Sequence, residues 1–81
     1  MNDVWSVYIL KCGDGTYYTG ISNDVDKRLQ KHQKGFGAKY TRGRSPLTMV
    51  YNEVIGTRSE ASKEEYRIKK LTRIEKIKLI T

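Results

Sequence analysis

The sequence places its single histidine and an arginine on the inward-facing stripe of one predicted helix, which begins near residue 24. Four residues recur there at the i, i+3, i+4 and i+7 spacing of a buried helix face: Val25, Arg28, Leu29 and His32. A purely structural core would fill such a stripe with apolar side chains. A guanidinium stays charged and offers a planar set of donors, and an imidazole exchanges a proton near neutral pH. Arg28 and His32 are therefore the first candidates for a functional site.

A carboxylate stands beside the inner face of a later helix. That face is predicted to consist of small and aliphatic residues: Ala61, Ile68 and Thr72. At about 100° per residue, Glu64 flanks this face on one side and Glu65 on the other, so either could point inward. Alternatively, both lie on the surface and pair with Lys69 or Arg67. Periodicity alone leaves this choice open.

A small number of strands and helices must position these side chains. Strands are predicted at residues 4–11, 16–21 and 47–54, and helices at residues 24–34, at 57–70 and from 72 onward. Ser22 or Asn23 is the expected N-cap of the first helix, and Gly35 is expected to end it. Capping boxes start the other two helices, Thr57 with Glu60 and Thr72 with Glu75. Residues 36–46 are expected to form a basic loop with one helical turn at residues 39–41.

The chain is short and basic. Its 81 residues suit a single small domain spanning residues 1–81, and 16 Lys and Arg against 9 Asp and Glu give a net charge of +7. One cysteine, Cys12, excludes an internal disulfide, and together with one histidine it makes a poor zinc ligand set. No apolar run approaches the length of a membrane span, so the protein is expected to be soluble and cytoplasmic, with no membrane partner.

Positive charge is concentrated between residues 27 and 44, a segment without an acidic residue. Besides Arg28, six residues of this basic stripe are candidate nucleic-acid contacts: Lys27, Lys31, Lys34, Lys39, Arg42 and Arg44. Because the stripe continues through a glycine-rich loop, solvation of a helix face does not explain it, and we predict that it contacts phosphates. Tyr40 lies within the same loop. It is either a lid on the small core or a contact to a sugar or base.

Taken together, these residues resemble the GIY-YIG nuclease superfamily, and most closely its small single-domain bacterial members. Ser6-Val7-Tyr8 stands at the first family triplet and Tyr18-Thr19-Gly20 at the second. Arg28 and His32 match the helix pair, and Glu65 matches the metal-binding glutamate. The resemblance covers essentially the whole chain. It implies an α/β fold of the α+β sandwich kind, with a three-stranded antiparallel sheet flanked by helices.

The resemblance also implies hydrolysis of a phosphodiester bond, with DNA as the expected substrate. Glu65 would hold one Mg²⁺ or Mn²⁺ ion, and Arg28 would hold the scissile phosphate. The proton of the attacking water would pass to Tyr8 in the first place or Tyr18 in the second, with His32 assisting. No additional targeting domain is expected, so either a protein partner or the shape of the substrate would supply specificity.

Some positions depart from the family pattern. Ser6 replaces the glycine of the first triplet and Thr19 the isoleucine of the second, while Ile21 stands where related excision-repair proteins carry lysine. Many catalytic members also have an asparagine after the glutamate helix, and this chain has none beyond Asn52. An alternative interpretation follows from that absence: a nucleic-acid-binding module of the same fold that has lost turnover.

One geometric requirement can be derived from the hairpin. If the loop consists of residues 13–15, Leu10 pairs with Tyr18 and Tyr8 pairs with Gly20, so that both tyrosines project from one face. A two-residue loop would instead send Tyr18 to the opposite face. We predict the three-residue loop, with Arg28, His32 and one of the two glutamates converging on the tyrosine face.

Overall fold

The structure is a computed structural model that describes residues 4–37 and 39–81, so residues 1–3 and 38 of the predicted domain lie outside it. The chain forms the predicted α+β fold, a three-stranded antiparallel sheet with three α-helices, and the strand order is β2-β1-β3. Its elements are β1 (Trp5–Lys11), β2 (Tyr17–Ser22), α1 (Val25–Gln33), a 3-10 turn (Lys39–Thr41), β3 (Thr48–Gly56), α2 (Arg58–Lys69) and α3 (Arg73–Ile80).

The hairpin between β1 and β2 has the three-residue loop that the sequence predicts. The backbone N–H of Cys12 donates to the carbonyl of Thr16 at 2.8 Å, and Gly15 takes a φ of 84°, which a glycine adopts without steric cost. Tyr8 pairs with Gly20 and Leu10 with Tyr18. Both tyrosines therefore project from the same face of the sheet.

The central strand β1 is covered on both faces. On one face Tyr8 and Leu10 are buried with Leu47, and the partly buried Val25 and Leu29 of α1 pack against them. On the other face Val7 and Ile9 pack with Ile68 of α2, together with partly buried residues of α3. Helix α1 and the pair α2 and α3 therefore lie on opposite sides of the sheet.

Helix ends follow from local hydrogen bonds, with two corrections to the sequence prediction. The N-cap of α1 is Asp24, not Ser22 or Asn23: its carboxylate accepts from the backbone N–H of Lys27, while the Ser22 hydroxyl accepts from that of Asp24 at 2.9 Å. Thr72, which was expected on the inner face of α2, is exposed because it serves as the N-cap of α3. Both predicted capping boxes are present, and Gly35 follows the end of α1 with a φ of 83°.

Within the described residues, the model contains no helix of the length and apolar character needed to cross a membrane.

Candidate active site

A chain of buried side chains links the sheet to α1 and to the loop that follows it. The Tyr8 hydroxyl lies 2.9 Å from Nε2 of His32, and Nδ1 of His32 lies 2.9 Å from the hydroxyl of Thr41. All three residues are buried, with only 1% of Tyr8 and 2% of His32 exposed. The predicted inward position of His32 is thus confirmed. One ring nitrogen faces the phenol and the other faces Thr41, so the imidazole is held from both sides.

The loop after α1 packs directly on the imidazole at Gly37. A Cβ atom added to Gly37 would lie 2.3 Å from Nδ1 of His32, so the site requires glycine there. Burial lowers the pKa of His32 below its ordinary value of 6.5, and the positive charge of Arg28 lowers it further. The imidazole is therefore neutral at pH 7 and can accept a proton.

The Tyr8 phenol lies over the edge strand β2. A Cβ atom at Gly20 would come within 2.6 Å of its hydroxyl, so the missing side chain provides the space that the phenol occupies. Burial raises the pKa of Tyr8 to about 12, and Tyr18 adds to this effect, whereas a hydrogen bond with Arg28 acts in the opposite direction. The phenol is accordingly protonated at neutral pH.

Tyr18 forms one wall of the site and connects it to the loop. Its ring centroid lies 6.4 Å from that of Tyr8 and 5.2 Å from that of His32. Tyr40 stacks on Tyr18 at 5.9 Å, and the guanidinium carbon of Arg44 lies 4.3 Å from the Tyr40 ring centroid. Tyr40 therefore covers the site, yet 41% of it remains exposed, so it can still contact a ligand.

Arg28 is placed differently from the prediction. The residue is exposed and not buried within the stripe, because it lies at the margin of the face formed by Val25, Leu29 and His32. Its guanidinium nevertheless acts on the site, because it lowers the pKa of both the Tyr8 phenol and His32. Arg28 thus influences the Tyr8 and His32 pair and, being exposed, is open to an incoming anion.

The two neighbouring glutamates of α2 have different partners and act on different tyrosines. Glu64 accepts two hydrogen bonds from Arg67, at 2.7 and 2.8 Å, and its charge raises the pKa of Tyr51 on β3. Glu65 instead pairs with Lys69 at 3.3 Å, and its charge raises the pKa of Tyr8. Of the two carboxylates left open by the sequence, Glu65 is therefore the one whose field reaches the tyrosine site.

The donor set for a metal ion is small. No group of three or more His, Cys, Asp or Glu side chains that could hold a metal exists among residues 4–37 and 39–81. A single carboxylate such as Glu65 fits Mg²⁺, which keeps most of its octahedral shell of water and phosphate oxygens and is commonly bound through one or two carboxylates. It would not fit Zn²⁺, which needs several nitrogen or sulfur ligands.

The residues of the basic stripe are mostly exposed. Five of its six members besides Arg28 are exposed: Lys27, Lys31, Lys34, Lys39 and Arg42. Arg44 is half-buried. It forms an ion pair with Asp14 of the hairpin loop and also covers the Tyr40 ring. The stripe thus presents exposed cations beside Arg28, whereas the charge of Arg44 is already paired.

Two residues of the site were not identified from the sequence. Thr41 follows His32 by nine positions, and Gly37 lies in a loop whose path periodicity does not describe. The only available sequence signal was indirect: a buried histidine needs partners for both ring nitrogens, and a hydroxyl in the following loop is a suitable one.

Comparison with known proteins shows which family the chain is similar to. The family model of the GIY-YIG catalytic domain matches residues 4–78. A UPF0213 protein of Oceanobacillus iheyensis is 52% identical over 80 residues, covering 99% of this chain and 93% of the relative. A UPF0213 protein of Halobacterium salinarum is 53% identical over 70 residues, covering 86% and 91%.

Two solution NMR structures have the same fold. The UPF0213 protein of Bacillus halodurans has 47% identity and a TM-score of 0.61, with 95% of this chain and 82% of that chain covered. A protein of E. faecalis has 40% identity and a TM-score of 0.66, with 99% and 88% covered.

Proposed function

The chain belongs to the GIY-YIG family, and from this we propose that it hydrolyses phosphodiester bonds of nucleic acid, DNA in the first place, with one Mg²⁺ or Mn²⁺ ion. The observation that carries the proposal is the hydrogen-bonded pair of Tyr8 and His32, with Arg28 and Glu65 near enough to shift the pKa of Tyr8. A purely structural core has no need for this combination of groups around one phenol.

The pKa values of the pair indicate how a proton could move. With a pKa of about 12, only about 10⁻⁵ of the Tyr8 phenol is ionised at pH 7, so a preformed phenolate is a rare species. His32 lies 2.9 Å away and is neutral at that pH. We therefore assign the proton transfer to the pair: Tyr8 takes the proton of the attacking water while its own proton passes to Nε2 of His32.

Arg28 and Glu65 would bind the phosphate and the metal ion. Arg28 is exposed enough to meet a phosphate and offers a planar donor set that suits the charge developing on its oxygens. Glu65 is the carboxylate that would hold the divalent cation, displacing its pairing with Lys69. When bound, the ion would neutralise negative charge on the leaving oxygen. Thr41 would orient the imidazole so that Nε2 faces Tyr8.

The test is a cleavage assay on labelled single-stranded, duplex, flap and forked DNA with Mg²⁺ or Mn²⁺, and with EDTA as the metal-free control. Glu65→Gln should abolish metal-dependent cleavage and leave affinity equal or slightly higher, since a negative charge is removed. Glu64→Gln is the matched control, because it makes the same change one residue away and breaks only an exposed ion pair of small energetic weight.

Two results would contradict the proposal. If Glu64→Gln inactivates the protein and Glu65→Gln does not, the assignment of the metal-binding glutamate is wrong. If the wild-type protein binds DNA without cleaving any of the four substrates, the chain is a binding module of the same fold.

A further inference from the structure

A groove runs along the outer edge of β2, beside the site but separate from the basic stripe. It consists of two adjoining clefts of about 230 Å³ each, which share Tyr17, Tyr40 and Lys76. The remaining lining residues come from β2, the strand entry and the helices α2 and α3: Thr16, Tyr18, Thr19, Lys69 and Arg73. The groove thus lies between the free edge of the sheet, the Tyr40 loop and the junction of α2 with α3.

The lining combines cations with aromatic rings. Lys69, Arg73 and Lys76 contribute positive charge, and neither cleft is lined by an Asp or Glu from the described part of the chain. Arg73 lies over the ring of Tyr17 with its guanidinium carbon 5.4 Å from the centroid. A positively charged groove with accessible aromatic side chains is the usual arrangement for binding unpaired nucleic acid, since phosphates meet the cations and bases meet the rings.

A second cleft at the other end of the sheet provides a contrast. It is larger, about 400 Å³, and its lining includes Asp24 and Asp26 but none of the described Lys or Arg residues. A phosphate backbone would be repelled there. This cleft is the larger one, but the charge of its lining does not suit nucleic acid, whereas that of the groove beside β2 does.

The groove is continuous with the proposed catalytic site through two residues. Tyr18 lines the groove, and its ring also packs against His32, with the two ring centroids 5.2 Å apart. Lys69 lines the groove and pairs with Glu65. A strand whose phosphate lies between Arg28 and Glu65 would therefore enter the groove with its neighbouring nucleotides.

We propose that this groove binds the unpaired strand next to the scissile phosphate, with Lys69, Arg73 and Lys76 contacting its phosphates and Tyr17 and Tyr40 contacting its bases. The inference rests on the proposed function for its place beside the cleaved bond, but the binding site can be tested without turnover. Clefts of about 230 Å³ accommodate single nucleotides and exclude the full width of a duplex.

The experiment measures binding by fluorescence anisotropy in EDTA, where no metal-dependent hydrolysis occurs. The probes are a labelled oligothymidylate of about 12 nucleotides and a duplex of the same length. Lys76→Ala is compared with Lys78→Ala, which removes the same charge from the same helix two residues away, on the opposite side of α3. Lys76→Ala should reduce the slope of log K against log salt for the single strand by about 0.7, whereas Lys78→Ala should leave it unchanged.

Tyr40→Ala provides the second measurement and should weaken binding of the oligothymidylate by at least ~5-fold, the lower end of the loss for one stacked base.

Three results would contradict binding of the unpaired strand in the groove: equal slopes for the two lysine variants, an equal effect of Lys76→Ala on duplex and single strand, or no binding by the wild-type protein. If Lys76→Ala weakens binding but the wild-type protein cleaves nothing with Mg²⁺ or Mn²⁺, the groove stands and the proposed catalysis fails.

Discussion

The Tyr8 and His32 side chains have pKa values displaced in opposite directions, and Arg28 acts on both. Its charge favours a neutral imidazole and also favours an ionised phenol. In the proposed relay Tyr8 regains a proton from water while His32 becomes an imidazolium, so the positive charge of Arg28 opposes the step at His32. A substrate phosphate bound to Arg28 would reduce that opposition. Proton transfer in the proposed reaction is therefore coupled to the arrival of the substrate.

The lowered pKa of His32 predicts an acid limb in the pH dependence of cleavage. As pH falls through the folded-state pKa, which lies below 6.5, His32 becomes protonated and can no longer accept the Tyr8 proton. We expect kcat/KM to fall on the acid side with an apparent pKa below 6.5 and to be level above it. Because the chain has a single histidine, its imidazole titration can be followed directly as one NMR resonance.

The lowered pKa of His32 also predicts how the free energy of unfolding changes with pH. The unfolded chain binds a proton near pH 6.5 and the folded chain only at lower pH, so the unfolded state binds more protons in the interval between the two pKa values. The free energy of unfolding should therefore decrease as pH falls below about 6.5 through that interval. An NMR midpoint at or above 6.5, with no acid limb in cleavage, would contradict the prediction.

Among the individual site residues, the sequence predicted the placement of the two tyrosines but not that of Thr41 and Gly37. Tyr8 and Tyr18 share a face because side chains alternate along a strand and the loop length sets the register, two rules that act over few residues. Thr41 and Gly37 reach His32 only because the loop after α1 folds back over the helix. That return path depends on tertiary packing, which periodicity does not encode.

Strand β2 determines whether the phenol of Tyr8 can reach the imidazole. Gly20 pairs with Tyr8, and its missing side chain is replaced by the phenol itself. A larger residue at this position would push the hydroxyl away from Nε2 of His32. The role of Gly20 is thus to provide space, since its φ does not lie in the left-handed region.

Gly20→Ala should therefore damage the site and the fold together. The added Cβ would approach the Tyr8 hydroxyl to 2.6 Å, and the resulting shift should reduce kcat by about 10²-fold, the cost typical of a displacement of about 1 Å. Overpacking should lower the free energy of unfolding by about 1–3 kcal/mol. Thermal or urea unfolding followed by circular dichroism, together with cleavage of the same samples, measures both effects.

Gly15→Ala is the control for the general cost of replacing a hairpin glycine. Gly15 has a φ of 84° and open space around its Cβ position, so alanine there should cost about 1 kcal/mol through backbone strain. It should leave the cleavage rate of the folded protein unchanged. If both variants lose cleavage to the same extent, Gly20 has no specific role in positioning Tyr8.

The helices show what element-level prediction can and cannot decide. Capping residues located the starts of α2 and α3, because a cap depends on contacts within four residues. The choice between Glu64 and Glu65 depended on how α2 lies across the sheet. In the packed structure the charge of Glu64 raises the pKa of Tyr51 on β3, whereas that of Glu65 raises the pKa of Tyr8.

The distribution of charge over the whole molecule is asymmetric. The groove beside β2 adjoins the tyrosine site through Tyr18 and is lined by lysines, while Asp24 and Asp26 line the cleft at the other end of the sheet. Asp14 pairs with Arg44 and removes one cation from the stripe. Seven of the 16 Lys and Arg residues lie between residues 27 and 44, the segment that also supplies His32 and Thr41 to the site, and positive charge there would attract a phosphate backbone.

Two lysines of this stripe, Lys31 and Lys34, provide a test of that arrangement. They lie at and just after the end of α1, exposed and outside the buried network around His32. Lys31→Ala and Lys34→Ala should each weaken binding to all sequences alike and reduce the slope of log K against log salt on duplex DNA by about 0.9. Lys63→Ala removes the same charge from α2, on the other side of the sheet, and should leave the slope unchanged.

Titrations of duplex DNA between about 50 and 200 mM salt measure the slopes. Equal slopes for all three variants would mean that the protein attracts nucleic acid through its net charge, without using the stripe as a surface.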